Sequence, residues 1–155
     1  MKREIKFRVW NGDAKQFADP NDFVLIGNGQ LMQIERESAE DYPPDLVEEE
    51  GGLFLTYPQG DYIFGGLYTG LKDKNGKEIY ERDVVRWDDE SDGEYWRVCE
   101  IKWRKAHYTL VGYSHTPGDP DSKHPVSFDF GAFIYERDGE LEVIGNIYEN
   151  PEPIK

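Results

Sequence analysis

Residues 68–85 read YTGLKDKNGKEIYERDVV, and this stretch decides the fold. Lys72 to Lys77 supply a polar turn centred on Asn75-Gly76, and Ile79, Val84 and Val85 supply apolar anchors on its far side. A tight hairpin turn needs positive φ, which glycine adopts freely and asparagine better than most residues. The segment therefore reads as a hairpin followed by a short turn that delivers the chain into a further strand. Taken alone, its role is structural.

The same turn chemistry recurs at Asn11-Gly12, Asn28-Gly29, Asp92-Gly93 and Asp138-Gly139, each near runs of β-branched and aromatic residues. Five such signals in 155 residues argue against a helical fold. The flanking runs alternate. Ile5, Phe7 and Val9 share one side while Lys6 and Arg8 take the other, the period of two that a half-buried strand requires. From Tyr95, the odd positions Tyr95, Cys99, Ile101 and Trp103 form an apolar face that Arg97 interrupts, opposite Glu100, Lys102 and Arg104. Leu141, Val143 and Ile147 share a face near the end, with Gly145 between them. Further strands are expected over Asp22–Ile26, Leu31–Glu35, Leu53–Tyr57, Tyr62–Leu67, Glu78–Trp87, Tyr108–Tyr113 and Ala132–Arg137. The expected fold is mainly β: antiparallel hairpins around a small barrel-like or sandwich core, with at most short helical turns.

Two segments read as loops. Glu35–Glu50 gathers eight acidic residues around Arg36 and contains Pro43-Pro44, with one helical turn expected at Pro44–Glu50. Ser114–Pro125 carries Pro117, Pro120 and Pro125 with Gly118, which interrupt regular structure. The chain is expected to form a single compact unit over 1–155. Its subdomains would be an irregular 1–66, with the acidic insertion 35–50, and a regular barrel-like 67–155.

Composition sets the broad class. The formal charge is −14, from 32 acidic and 18 basic residues. That opposes non-specific contact with nucleic acid and anionic lipid, whose charges demand Lys and Arg. It favours attraction to basic partners. The single cysteine excludes an internal disulfide and suits a reducing compartment. Residues 1–10 hold no apolar run of signal-peptide type, and no stretch of roughly 18 apolar residues exists. A cytoplasmic protein without a membrane span is expected.

With the turns placed, a resemblance emerges. The 68–85 segment, the start REIKFRVW (Arg3–Trp10) and the end EVIGNIYENPE (Glu142–Glu152) together resemble the YopX family of phage- and prophage-encoded proteins. The blocks cover about a quarter of the chain and keep their order. The resemblance implies a β-rich fold and a phage or prophage setting inside a bacterial host cell. It implies no catalytic or ligand residues. This chain departs from the family at Tyr80-Glu81-Arg82-Asp83, where the family reads Tyr-Glu-Gly-Asp. If that glycine has positive φ, Arg82 is strained by roughly 1 kcal/mol or more.

Chemistry-bearing residues are few. His115, Asp119, Asp121 and His124 fall in one Pro-rich stretch, and such side chains ligate divalent metals, but their spacing matches no defined metal motif. His107 reads as a surface residue and Cys99 as a small core residue. Lys102, Trp103, Arg104 and Lys105 form the densest basic cluster, beside Trp96, and basic side chains with aromatics can hold single-stranded nucleic acid by stacking. Their acidic flanks favour cross-strand ion pairs instead. Carboxylates recur throughout, so their pairing along the sequence discriminates nothing. No P-loop, GxSxG, HExxH or dinucleotide fingerprint is present.

The reading favours a non-catalytic, cofactor-free binding or regulatory module. Its partner would be a basic host or phage protein, in the sharpest form as a DNA mimic, and unpaired strand edges allow a homo-oligomer. The alternatives are a metal-dependent enzyme using residues 115–124 and a single-strand binder using residues 96–105.

Overall fold

A computed structural model describes residues 5–36, 53–89, 95–116, 119–137 and 139–150. In it the decisive stretch does what its residues dictate. Strand β6 (Tyr62–Lys72) turns at Asn75-Gly76 into β7 (Glu78–Tyr80), and a two-residue turn at Glu81-Arg82 leads into β8 (Asp83–Asp89). Gly76 sits at φ 82°. Ile79, Val84 and Val85 are fully buried.

Ahead of these lie β1 (Phe7–Asn11), β2 (Gln16–Ala18), a 3-10 turn (Pro20–Asp22), β3 (Phe23–Leu25), β4 (Leu31–Arg36) and β5 (Leu53–Thr56). After them come β9 (Tyr95–Arg104), β10 (His107–Thr116), β11 (Asp119–Asp129), the helix α1 (Phe130–Glu136) and β12 (Glu142–Asn146). The chain is mainly β and antiparallel, with one short α-helix among the described residues and one sheet curled as a half-barrel.

Residues cluster into two compact units, Met1–Phe7 with Gly65–Lys155, and Arg8–Phe64. In the second, β1 pairs with β2, and β4 lies between β3 and β5. Trp10 meets Phe17 edge-on at 5.2 Å, and Phe23 tilts against Tyr62 at 5.1 Å. The first unit holds a five-stranded sheet in the order β11-β10-β9-β8-β12. Its core joins Ile79, Val85, Trp87, Cys99, Ile101, Leu110, Leu141 and Val143 to Phe130 and Phe133 of α1.

The three family-like blocks meet in this unit. The Tyr68 amide donates to the Lys6 carbonyl, and the Lys6 ammonium bonds Glu78. Asp73 accepts from the amides of Asn75 (2.8 Å), Lys77 (2.9 Å) and Val143 (3.0 Å). Glu142 pairs with Lys74 at 2.8 Å and Arg86 at 3.0 Å. Their common role is to hold strand ends together, at the β6–β7 hairpin and between β12 and β8.

Several expectations change. Ala132–Arg137 is not a strand: Asp129 caps α1 by accepting from the Ala132 amide, and Phe130 and Phe133, three apart, share the buried helix face. Ser114–Pro125 is not a loop, because β10 and β11 run through most of it. Trp103 leaves the buried face and is 52% exposed. Glu100, expected opposite the apolar face of its strand, is itself buried, between Lys102 (2.8 Å) and Arg82 (3.6 Å), because both faces of β9 are covered from Val98 to Ile101. The turn at Pro44–Glu50 and the Asp92-Gly93 pair lie outside the described residues.

Arg82 stands at φ 73°. Its amide donates to the Ile101 carbonyl, and its carbonyl accepts from the Ile147 amide, so the backbone there is fixed from both sides. Replacement by glycine removes the left-handed penalty, and Arg82→Ala controls for the lost ion pairs. Arg82→Gly is therefore expected to exceed Arg82→Ala in stability by about 1 kcal/mol. Urea denaturation of the two variants measures the difference.

Candidate functional site

Strands β9 and β10 close on each other with Arg104 opposite His107, which leaves Lys105 and Ala106 as a two-residue turn. Both are left-handed, at φ 47° and φ 68°. Hairpins of this length favour such turns, but ordinarily with Asn or Gly in them. Non-glycine residues held there cost of order 1–3 kcal/mol each and gather at functional sites.

Trp103 projects beside the turn. Its ring meets Tyr108, its partner across the strands, edge-on at 4.9 Å. Tyr108 in turn stands edge-on to Phe130 at 6.3 Å. A line of rings thus runs from solvent to the core and braces the exposed indole. Arg104 and Lys105 flank it, both exposed. His107 lies 3.3 Å from Asp129, whose other oxygen caps α1, so the tip is tied to the helix. This surface is aromatic, locally basic and held in place, a composition that interface anchors favour.

The structure brings Trp103, Arg104 and Lys105 of the basic cluster to the tip but turns Lys102 toward Glu100. Cross-strand support from Tyr108 escaped the sequence reading, since the turn that sets the register contains no glycine.

The metal candidates are spread along two strands. His115 is buried on β10, whereas Asp119, Asp121 and His124 are exposed on β11, with His124 opposite Ser114. Asp119 accepts from the Asp121 amide at 3.1 Å. Among the described residues, no three or more His, Cys, Asp or Glu side chains converge as a metal site.

Cys99 is buried, and burial pushes its thiol up to about 12, against a smaller opposite pull from Arg97. A thiol held so far from ionisation is a poor nucleophile. His107 is exposed, as expected of a surface residue. No helix among the described residues is long and apolar enough to cross a membrane.

Comparison with known proteins follows from this geometry. The family model described as "YopX protein" matches residues 6–155. The chain is similar to the SPbeta prophage-derived uncharacterized protein YopX of Bacillus subtilis (strain 168), at 26% identity over 148 residues, covering 94% of this chain and 92% of that protein. Its fold is similar to the crystal structure of protein YopX from Bacillus subtilis, with a TM-score of 0.53 and 17% identity, covering 99% and 100% of the two chains.

Proposed function

The chain belongs to the YopX family, and we propose that it is a non-catalytic protein-binding module anchored by the β9–β10 tip. The observation that carries this reading is Trp103, half exposed yet braced by Tyr108 beside a strained, basic turn. A large ring already fixed in one pose loses little conformational freedom on docking. The partner suited to it is a protein of net positive charge, which the −14 net charge attracts over distance, with an apolar pocket for the indole and carboxylates at that pocket's rim to meet Arg104 and Lys105. The bacterial, prophage-linked setting of the relative supports a partner inside the same cell.

The test is capture of partners from bacterial lysate by tagged protein, with Trp103→Ala as the paired bait. Truncating an anchor of this kind costs about 2 kcal/mol or more of binding, roughly thirty-fold in affinity. The fold loses one edge-on ring contact, about 1 kcal/mol. A partner held equally well by both baits, or none across a range of salt, sinks the proposal. Salt-sensitive binding of a single-stranded oligonucleotide at the tip would favour the nucleic-acid alternative instead.

A further inference from the structure

The sequence holds three Asn-Gly pairs, Asn11-Gly12, Asn28-Gly29 and Asn75-Gly76, and the fold treats them unequally. In such a pair the glycine main-chain nitrogen attacks the asparagine side-chain carbon, and no Cβ hinders the approach. Folded structure slows this reaction, because the glycine amide must leave its hydrogen bond and rotate toward that carbon. The turn that opens most easily reacts first.

Asn28-Gly29 and Asn75-Gly76 share one backbone arrangement. The Gly29 amide donates to the Ile26 carbonyl (2.8 Å) and the Ile26 amide to the Gln30 carbonyl (3.0 Å). The Gly76 amide donates to the Asp73 carbonyl (2.9 Å) and the Asp73 amide to the Lys77 carbonyl (2.8 Å). What holds the two turns differs. The buried Asp73 carboxylate takes the Asn75 and Lys77 amides and also the distant Val143 amide. At the third pair Gly12 is buried, and its amide donates to the Asp61 carbonyl at 2.7 Å. Gly27, Asn28 and Gly29 are all exposed. Among the described residues, the hydrogen bonds of Asn28 and Gly29 reach no further than Ile26 and Gln30.

The Asn28 side chain is also folded for attack. Its Oδ1 accepts from the Gln30 amide at 3.0 Å, and the ring closed by that bond contains both the Asn28 Cγ and the Gly29 nitrogen. The same amide can hold that oxygen as negative charge gathers on it. The departing Nδ2 lies 3.5 Å from the Gln30 Oε1, at the limit of a hydrogen bond. Asn11 folds back in a similar way, accepting from the Asp13 and Ala14 amides, but its glycine is the one tied to Asp61.

We propose that Asn28 is the site at which this protein deamidates. The Gly29 nitrogen gives its proton to solvent base and bonds to the Asn28 Cγ. The Cγ–Nδ2 bond breaks, and ammonia leaves with a proton. Water then opens the cyclic imide at either carbonyl, so amide and water become carboxylic acid and ammonia, and the product is aspartate or isoaspartate. Both products add a negative charge. Isoaspartate also lengthens the main chain inside the turn that sets Val24 opposite Met32.

The experiment incubates the full chain in mildly alkaline buffer, folded and in concentrated urea, and follows each asparagine by peptide mapping with mass spectrometry. In the folded chain Asn28 is expected to convert first. Asn11 and Asn75 should be roughly tenfold or more slower, because their turns must break additional bonds to open. In urea the three should convert at comparable rates. Asn28→Ser should remove the first acidic variant that appears on ion exchange. Asn11 or Asn75 converting as fast as Asn28 in the folded chain, or an Asn28 that converts only in urea, overturns the assignment. So does the same ranking in urea, since local sequence rather than the fold would then set the order.

Discussion

Gly112→Ala is expected to lower the melting temperature by roughly 10 °C. Gly112 lies in the middle of β10, opposite Cys99 of β9. A Cβ built there would sit 2.0 Å from the Val98 carbonyl oxygen and 2.7 Å from the Cys99 Cα. Both obstacles are backbone atoms of the central strand, so neither can rotate aside. Strands must separate locally, and overpacking of this kind costs about 3 kcal/mol or more. At roughly 2–4 °C per kcal/mol for a chain of this size, the stated shift follows. Gly27→Ala is the control, since its Cβ would meet nothing within 4 Å. Thermal unfolding followed by circular dichroism compares them, and equal melting temperatures would refute the packing argument.

Asp73→Ala is expected to cost about 3–5 kcal/mol, because one carboxylate serves three amides. The Asn75 and Lys77 bonds shape the hairpin turn, and the Val143 bond ties β12 to it from 70 residues away. With alanine, the buried Val143 amide loses its acceptor. The carboxylate also carries a pH signature. Burial pushes its pKa up, but the Val143, Lys77 and Asn75 amides outweigh that and leave it below the ordinary 3.8. A folded-state value below the unfolded one stabilises above about pH 4, and that stability is lost as pH falls through the folded value. Urea titrations at pH 7 and pH 3 should therefore show a smaller penalty for Asp73→Ala in acid. An equal penalty at both would show that the charge contributes nothing.

Much of the fold was legible because strands announce themselves twice, through alternation and through their turns. Asn28-Gly29 and Asn75-Gly76 mark real hairpins, with both glycines at φ 82°. Prolines misled at Ser114–Pro125. β11 is the edge of its sheet, where an amide facing outward needs no partner, so Pro120 and Pro125 are tolerated on it. Ala132–Arg137 misled through its aromatic and β-branched content, which suits a strand equally, and only the Asp129 cap separates the two outcomes. The short turn expected between Ile79 and Val85 forms at Glu81-Arg82, where Asp83 accepts from the Tyr80 amide, and it splits the expected strand Glu78–Trp87 into β7 and β8. Of the candidate tip, the basic cluster was visible in the sequence. Its bracing was not, since Tyr108 finds Trp103 only once Arg104 and His107 are known to pair.

The place of β12 in the sheet has a consequence for synthesis on the ribosome. It follows β11 in the chain yet pairs with β8, Asn146 lying beside Asp83. Strands β8 to β11 can zip as successive hairpins while the chain elongates. The β8 flank stays open until residue 146 clears the exit tunnel, and at about 5–20 residues per second that delay lasts seconds. For that interval the nascent chain presents an unpaired strand border, the surface on which neighbouring chains co-aggregate. Strand β12 is thus a late-arriving cover, and the carboxylate of Asp73, made earlier in the chain, precedes the Val143 amide that it accepts from.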